Sequence, residues 1–251
     1  MQMNRRMLLL AGVVAAGSAG AALVAVTRGK ADDRRPDRPE PSSRRAMRSD
    51  LDVLFRPGSE FVLSDGVHGI IDVQRAGRLR LPTGRLIAAD PSWLPSWQRL
   101  GIAPYTTSVP AGSYLVTLAL VRFQTDRPAA MVAAAKLTIR DAPVSTWELA
   151  LRPGEDLATL ADDEFFGVGV DVATVCLFDA TVLTVMARKA EEQPQIFEVW
   201  QGDQPVEVVD AESKVNLIAF QSGLGDGHYP VWIGRTAGGQ VCCFLVDMLI
   251  G

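Results

Sequence analysis

Residues 113–123 read SYLVTLALVRF and have the clearest strand pattern in the chain. Its apolar side chains alternate in part with polar ones, and the turn sequence PAG at 110–112 precedes it. A second apolar run at 131–140 follows the polar sequence TDRP at 125–128. Two such runs separated by a short polar segment are typical of a β-hairpin. The sequence therefore predicts two long antiparallel strands joined by a loop.

The pattern on both sides of this hairpin is also mainly that of strands. Further strands are predicted at 67–73, 84–89, 146–151, 196–200, 215–220, 229–234 and 241–248. One helix is predicted, at 174–192. Asp179 lies near its start and Lys189 near its end, where the helix dipole favours these charges. The predicted fold class is α+β and β-rich: an antiparallel sheet or sandwich with few helices, preceded by one N-terminal hydrophobic helix.

The first 31 residues contain the parts of an export signal in order. Arg5 and Arg6 stand directly before an apolar stretch at 7–26, which is the arrangement of a twin-arginine signal. Gly29 and Ala31 supply the small residues of a cleavage site, so we expect cleavage after Ala31. This N-terminal segment is therefore predicted to be a signal peptide.

An uncleaved membrane anchor is the alternative for the same segment. The apolar stretch at 7–26 is 20 residues long, and a helix of that length spans a hydrocarbon core of about 30 Å. With Arg5 and Arg6 held on the cytoplasmic side, the rest of the chain would still face outward. Either outcome places it outside the cytoplasmic membrane, on the extracellular or cell-wall side.

The composition changes sharply after the apolar stretch. Residues 32–50 are rich in charged side chains, Pro and Ser, and are predicted to be a disordered linker. Residues 51–251 are predicted to form a single β-rich globular domain, with 15 Lys and Arg against 24 Asp and Glu and a net charge of −9. Because nucleic-acid affinity depends on neutralising phosphates, this acidic domain is not expected to bind nucleic acid.

The three cysteines, Cys176, Cys242 and Cys243, are too few for a disulfide framework. Cys242 and Cys243 lie in an apolar extended sequence and are predicted to be small core residues that point to opposite faces. A disulfide between Cys176 and one of them remains open for a protein outside the cell. The cysteines and the two histidines, His68 and His228, lack the spacing of a zinc site, so no metal site is predicted.

Five stretches of the chain carry a resemblance to a known family. They are GRLIAADP (84–91), VPAGSY (109–114), WELA (147–150), DEFFGVGVD (163–171) and FQSGLGDGHYPVWIG (220–234). From about Gly66 to the C-terminus the chain resembles a bacterial family known as domain of unknown function 4241, and the last two stretches are the most specific. The resemblance implies one domain and carries no activity. Many members look like cytoplasmic proteins, so the export segment is an addition in this chain.

The loop GLGDGHY at 223–229 is the first candidate binding site. Its three glycines allow positive φ angles and close approach of a ligand or an ion to the main chain. Asp226, Gly227 and Tyr229 are the candidate contacts in this loop. The alternative is a tight turn between two strands, in which Asp226 caps its own backbone.

A second candidate site consists of acidic residues. Asp163, Glu164 and Asp171 could bind a hard cation through oxygen ligands. If Asp171 and Asp226 lie within about 10 Å of each other across a cleft, they would fit the acid–base pair of a hydrolase. The other interpretation is that these carboxylates are simply exposed, with Asp171 as an ordinary helix cap.

The sequence thus predicts an exported or membrane-tethered domain, most simply a non-enzymatic binding module outside the cytoplasmic membrane. The alternative is a hydrolase that uses Asp171 and Asp226, with or without a divalent cation. Membrane contact, if the N-terminal segment is uncleaved, would run through residues 7–26. The sequence identifies no cofactor, no catalytic residue and no particular ligand or protein partner.

Overall fold

The structure is a computed structural model that describes residues 28–30, 51–62, 66–123, 130–161, 164–192 and 204–250. Several predictions concern positions outside these residues: Arg5, Arg6, the hydrophobic helix at 7–26, Ala31, the linker at 32–50, the strand at 196–200 and Asp163. Within the described part of the chain, no helix is both long enough and apolar enough to cross a membrane.

The described residues form two antiparallel sheets. The nine strands of the larger sheet are β1 (Arg28–Lys30), β2 (Glu60–Val62), β3 (His68–Leu81), β5 (Gly112–Phe123), β6 (Ala130–Thr138), β7 (Thr146–Leu149), β8 (Glu164–Val170), β12 (Gly227–Arg235) and β13 (Val241–Asp247). Their order is β1-β8-β12-β13-β6-β5-β3-β2, and β7 also pairs with β12. The smaller sheet contains β4 (Leu86–Ala89), β9 (Thr174–Asp179), β10 (Val206–Val209) and β11 (Asn216–Gln221), in the order β10-β11-β9-β4.

Helices are few and short in the described residues. The two α-helices are α1 (Trp97–Leu100) and α2 (Leu183–Glu192), and 3-10 turns occupy Leu51–Phe55, Pro91–Ser96, Leu157–Thr159 and Ala180–Val182. The predicted class, β-rich and antiparallel with few helices, is confirmed for these residues.

The hairpin predicted from the apolar runs at 113–123 and 131–140 is confirmed. β5 pairs with β6 in antiparallel register, with Leu118 opposite Ala135, and both side chains are fully buried. The partner of β5 on its other side is β3, which extends to Leu81 instead of ending at Val73. The register shifts at a bulge that includes Gly77. This bulge interrupts the period-two pattern, and it explains why the sequence predicts only the first half of β3.

The helix predicted at 174–192 is wrong in its first third. Residues Thr174–Asp179 form β9, and all six side chains of this strand are buried. An apolar run without alternation cannot be distinguished from a buried helix by its periodicity. α2 follows only after a 3-10 turn, which Asp179 caps by accepting a hydrogen bond from the backbone N–H of Thr181 at 2.9 Å. Lys189 lies in the last turn of α2, as predicted.

β8 is the longest strand that the sequence does not predict. Gly167 and Gly169 within it are residues that usually weaken a strand. Glycine is needed at both positions because neighbouring groups leave no room for a side chain. A Cβ atom on Gly167 would lie 2.3 Å from the backbone oxygen of Tyr229, and one on Gly169 would lie 2.5 Å from the ring of Trp93. These glycines therefore mark close packing and not turns.

The side chains of the smaller sheet alternate between two hydrophobic clusters. In β9, Val175 and Leu177 belong to the larger cluster, which the larger sheet shares. Cys176 and Phe178 belong to the smaller cluster, to which α2 contributes Met186. Apart from its edge strand β10, where Val209 is 47% exposed, the smaller sheet is thus buried on both faces. The architecture has three layers: the larger sheet, the smaller sheet and the helices.

All three cysteines are buried and free in this structure. Cys242 and Cys243 belong to the larger cluster and Cys176 to the smaller one. Burial raises the pKa of the Cys243 thiol to about 12, so this thiol stays protonated. The prediction that Cys242 and Cys243 are small core residues is confirmed, and the disulfide that the sequence left open is not formed.

Candidate functional site

Three turns meet at one end of the smaller sheet, and Asp90 joins two of them. Asp90 follows β4 and is completely buried. Its Oδ1 accepts hydrogen bonds from the backbone N–H and the hydroxyl of Ser92, both at 2.7 Å. Its Oδ2 accepts from the backbone N–H groups of Asp171 (2.6 Å) and Val172 (3.0 Å), in the turn between β8 and β9. These four donors satisfy the buried carboxylate.

The third turn is the glycine loop between β11 and β12. Asp226 accepts a hydrogen bond from the backbone N–H of Ala173 at 2.9 Å, and the backbone N–H of Ser222 donates to the carbonyl of Ala173 at 3.0 Å. Ala173 has a φ of 51°, a left-handed conformation that costs a non-glycine residue about 1 kcal/mol. We call residues 90–93, 171–173 and 222–228 together the turn corner.

The glycine loop is fixed by its own contacts as well. Gly223 has a φ of 63°, and a Cβ atom there would lie 2.5 Å from the backbone oxygen of Val132. The hydroxyls of Ser222 and Tyr229 both donate to the carbonyl of Gly225, at 2.5 and 2.8 Å. The loop is therefore a tight connection between two strands. Its one difference from the predicted turn is that Asp226 caps Ala173 in the neighbouring turn and not its own backbone.

Trp93 and His228 lie side by side over β8. The indole N–H of Trp93 donates to Oδ2 of Asp171 at 2.9 Å. A Cβ atom on Gly169 would lie 2.5 Å from the Trp93 ring and 3.1 Å from the His228 ring, so both rings rest on the backbone of this glycine. Burial, together with the positive charge of Arg152, lowers the pKa of His228. The imidazole is thus held in its neutral form near neutral pH.

Arg152 lies beneath the turn corner and connects the two sheets. Its Nη1 donates to the carbonyl of Gly167 in β8 at 2.9 Å, and its Nη2 donates to the carbonyl of Ala88 in β4 at 3.0 Å. The guanidinium also lies over the ring of Tyr105, 5.2 Å from its centre. Burial raises the pKa of Tyr105 to about 12. Among the described residues, the Tyr105 hydroxyl, the Arg152 Nε and the His228 Nε2 are buried without a hydrogen-bond partner.

The structure brings some predicted site residues together and separates others. Asp171 and Asp226 both belong to the turn corner and both are exposed. Glu164 stands at the other end of β8 from Asp171, which a strand rise of about 3.3 Å per residue places roughly 20 Å away. Its carboxylate accepts a hydrogen bond from the backbone N–H of Ala161 at 3.1 Å. Asp171 follows a strand and precedes another, so the prediction that it caps a helix is wrong.

The last two predicted residues open β12. Gly227 is exposed at its first position, and Tyr229 is buried, with 3% of its surface exposed. Tyr229 therefore contributes to the corner through its hydroxyl, inside the loop. Within the described residues, no group of three or more His, Cys, Asp and Glu side chains is placed to hold a metal ion.

Two apolar side chains project from the turn corner into solvent. Val172 is 48% exposed and Leu224 is 61% exposed. They lie on turns that hydrogen bonds to Asp90 and Ala173 hold in place, next to the exposed carboxylates of Asp171 and Asp226. Both side chains are therefore accessible to another molecule.

Sequence patterns do not identify five residues of the site: Asp90, Trp93, Arg152, Val172 and Leu224. The sequence Asp90-Pro91 after an apolar strand is a local signal for a capped helical turn. This signal identifies Asp90 as a cap for Ser92. It does not indicate that Asp90 also accepts a hydrogen bond from Asp171, 81 positions further along the chain. Arg152 gives no signal beyond its place before a turn.

The two sheets and the turn corner define a β-rich domain in which three turns meet at one end of the smaller sheet. A family model described as "Protein of unknown function (DUF4241)" matches residues 79–246, and the chain belongs to this family. The match includes all three turns of the corner. Comparison with curated proteins finds no match, and comparison with solved structures finds none.

Replacing Asp90 by Ala should destabilise the protein strongly. The change leaves buried donors of two turns without an acceptor, which costs about 3 kcal/mol or more. Asp226→Ala is the matched control, because it removes an exposed carboxylate with one backbone hydrogen bond and should cost about 1 kcal/mol or less. Urea unfolding of both variants measures the two costs. Equal losses of unfolding free energy would show that Asp90 does not hold the corner.

The stability of the protein should depend on the charge of His228. The folded-state pKa lies below the ordinary value of 6.5, so the unfolded chain takes up its proton first as the pH falls. The free energy of unfolding should therefore decrease as the pH drops below about 6.5. His228→Gln should flatten this slope below about pH 6.5, whereas His68→Gln at the exposed start of β3 should keep it. Identical slopes in wild type and His228→Gln would contradict the prediction.

Proposed function

We propose that this chain is a non-enzymatic binding module that acts outside the cytoplasmic membrane, and that the turn corner is its contact surface. The observation that carries the proposal is the exposure of Val172 and Leu224 on turns that are fixed from beneath. Covering either side chain would stabilise a complex by roughly 1 kcal/mol. Because the turns are already ordered, binding would lose little conformational entropy.

The charges around the exposed pair indicate the chemistry of the partner. Asp171 and Asp226 flank Val172 and Leu224, and residues 51–251 have a net charge of −9. A partner segment that presents a Lys or Arg beside an apolar side chain would complement both features. The proposed partner is therefore a cationic and partly apolar segment of another protein or peptide.

The proposed location outside the cytoplasmic membrane is based on the N-terminal sequence. Residues 1–31 are proposed as a twin-arginine signal or an uncleaved hydrophobic anchor, 32–50 as a disordered linker and 51–251 as the single domain. The segment Arg28–Lys30 forms β1 on the edge of β8 and stands immediately before the proposed cleavage site at Ala31. Cleavage there would release β1 with the signal, whereas an anchor would retain it.

The hydrolase alternative has less support. General acids and bases in hydrolases usually owe their reactivity to burial or to a neighbouring charge. Asp171 and Asp226 are both exposed. Each accepts a hydrogen bond from a neutral N–H group, of Trp93 and of Ala173 respectively. These contacts resemble turn capping more than an acid–base pair.

Export should require the twin arginine. Changing Arg5 and Arg6 together to Lys keeps the charge but removes the guanidinium pair that the twin-arginine route requires, so the protein should be retained on the cytoplasmic side. Protease accessibility in intact spheroplasts measures this, and N-terminal sequencing of the wild-type protein distinguishes cleavage after Ala31 from an intact anchor. Unchanged accessibility in the Lys-Lys variant would exclude the twin-arginine route.

A photo-crosslinking residue at the turn corner should capture the partner in cells. We would place p-benzoylphenylalanine at Val172, and at Val209 as the control, because these two valines are 48% and 47% exposed. Irradiation should give an adduct at position 172 that is absent at position 209, and Leu224→Ser should reduce its yield. No adduct at 172, or the same adduct at both positions, would overturn the proposed contact surface.

A further inference from the structure

A cavity of about 380 Å³ lies at the end of β4 opposite Asp90. Its walls include Ile87, Trp97, Ile102, Pro104 and Leu183, with Arg85 at the rim. Its volume is at the lower end of the range of small-molecule sites, about 300–1,000 Å³. Because β4 separates it from the turn corner, it is a different site from the proposed contact surface.

The walls of the cavity are apolar and well supported. Ile87 is completely buried, and Leu183 is 5% exposed. Trp97 and Ile102 are half-buried and pack against the smaller hydrophobic cluster. The backbone N–H of Ile102 donates to the carbonyl of Trp97 at 3.0 Å, which fixes these two walls relative to each other. An apolar ligand would find these surfaces already in place.

Arg85 provides a positive charge at the rim of this cavity. Its backbone is held by the N–H of Ala180, which donates to the Arg85 carbonyl at 2.9 Å. Its side chain is exposed and has no hydrogen bond or ion pair with any residue in the described part of the chain. In a domain with a net charge of −9, an arginine that pairs with no carboxylate of the described residues is available to an anion from outside.

The nearby carboxylate of Asp179 does not compete for Arg85. It is fully buried and accepts hydrogen bonds from the backbone N–H groups and the hydroxyls of Thr83 and Thr181, at 2.7–3.1 Å. Because these four donors already satisfy the Asp179 carboxylate, it does not need the guanidinium of Arg85 as a partner.

From this arrangement we propose that the cavity binds a small molecule with an apolar body and one anionic group. The apolar body lies against Trp97, Ile102 and Ile87, and the anion pairs with the guanidinium of Arg85. Binding at this site is independent of the turn corner, so a failure of one proposal leaves the other standing.

Three probes of one shape separate the two parts of the proposal. The full-length chain would be titrated calorimetrically with 4-phenylbutyrate, 4-phenylbutan-1-ol and 4-phenylbutylamine, which share the apolar body and differ in charge. The acid should bind saturably and about tenfold more tightly than the alcohol, as a charge-assisted hydrogen bond provides. The amine should bind more weakly than the alcohol. No saturable binding of the acid, or equal affinities for acid and alcohol, would overturn the proposal.

Variants assign the binding to the cavity. Arg85→Gln should abolish the preference for the acid and leave the alcohol unaffected, whereas Arg188→Gln removes an exposed arginine of α2 outside the cavity and should change nothing. Thr184→Trp places bulk into the cavity from an exposed position and should weaken all three probes, with the thermal melting curve confirming that the variant folds. An acid preference that survives in Arg85→Gln would refute the role of Arg85. Undiminished binding in a folded Thr184→Trp variant would refute the cavity.

Discussion

The carboxylate of Asp90 holds one of the points where the chain crosses from one sheet to the other. β8 belongs to the larger sheet and β9 to the smaller one, and only residues 171–173 connect them. A buried charge is tolerated only when donors surround it. Asp90 takes two of its four donors from that crossing and two from Ser92 beside β4. The position of this crossing, and of the turns at 90–93 and 171–173, depends on this one group.

Arg152 ties the same two sheets together a short distance away. It bonds to the carbonyl of Gly167 in the larger sheet and to that of Ala88 in the smaller sheet. The guanidinium has five donors in a fixed plane, which allows one side chain to reach two backbones. Asp90 and Arg152 both hydrogen-bond to the backbone of the two sheets and their turns. These two charged groups therefore stabilise the conformation of the turn corner. Among the charged residues at 90–93, 171–173 and 222–228, Asp171 and Asp226 are the ones exposed at the surface.

Local patterns in the sequence predicted the parts of the fold that local patterns determine. The β5–β6 hairpin follows from alternation and a polar loop, whereas the close approach of Asp171 and Asp226 is only a condition set by the hydrolase hypothesis. β9 was mistaken for helix because burial on both faces removes the alternation that marks a strand. Asp90 was missed because its role lies in contacts 81 and 82 positions away, and no spacing within one segment encodes such a pairing. That no carboxylate among the described residues pairs with Arg85 likewise depends on where Asp179 finds its donors.

The three buried thiols bear on where this fold can form. A domain held together by disulfides reaches its native state only where the redox potential is oxidising. Here Cys176, Cys242 and Cys243 are free and shielded from solvent, so no covalent step links folding to the compartment. The same native state is accessible in a reducing or an oxidising environment.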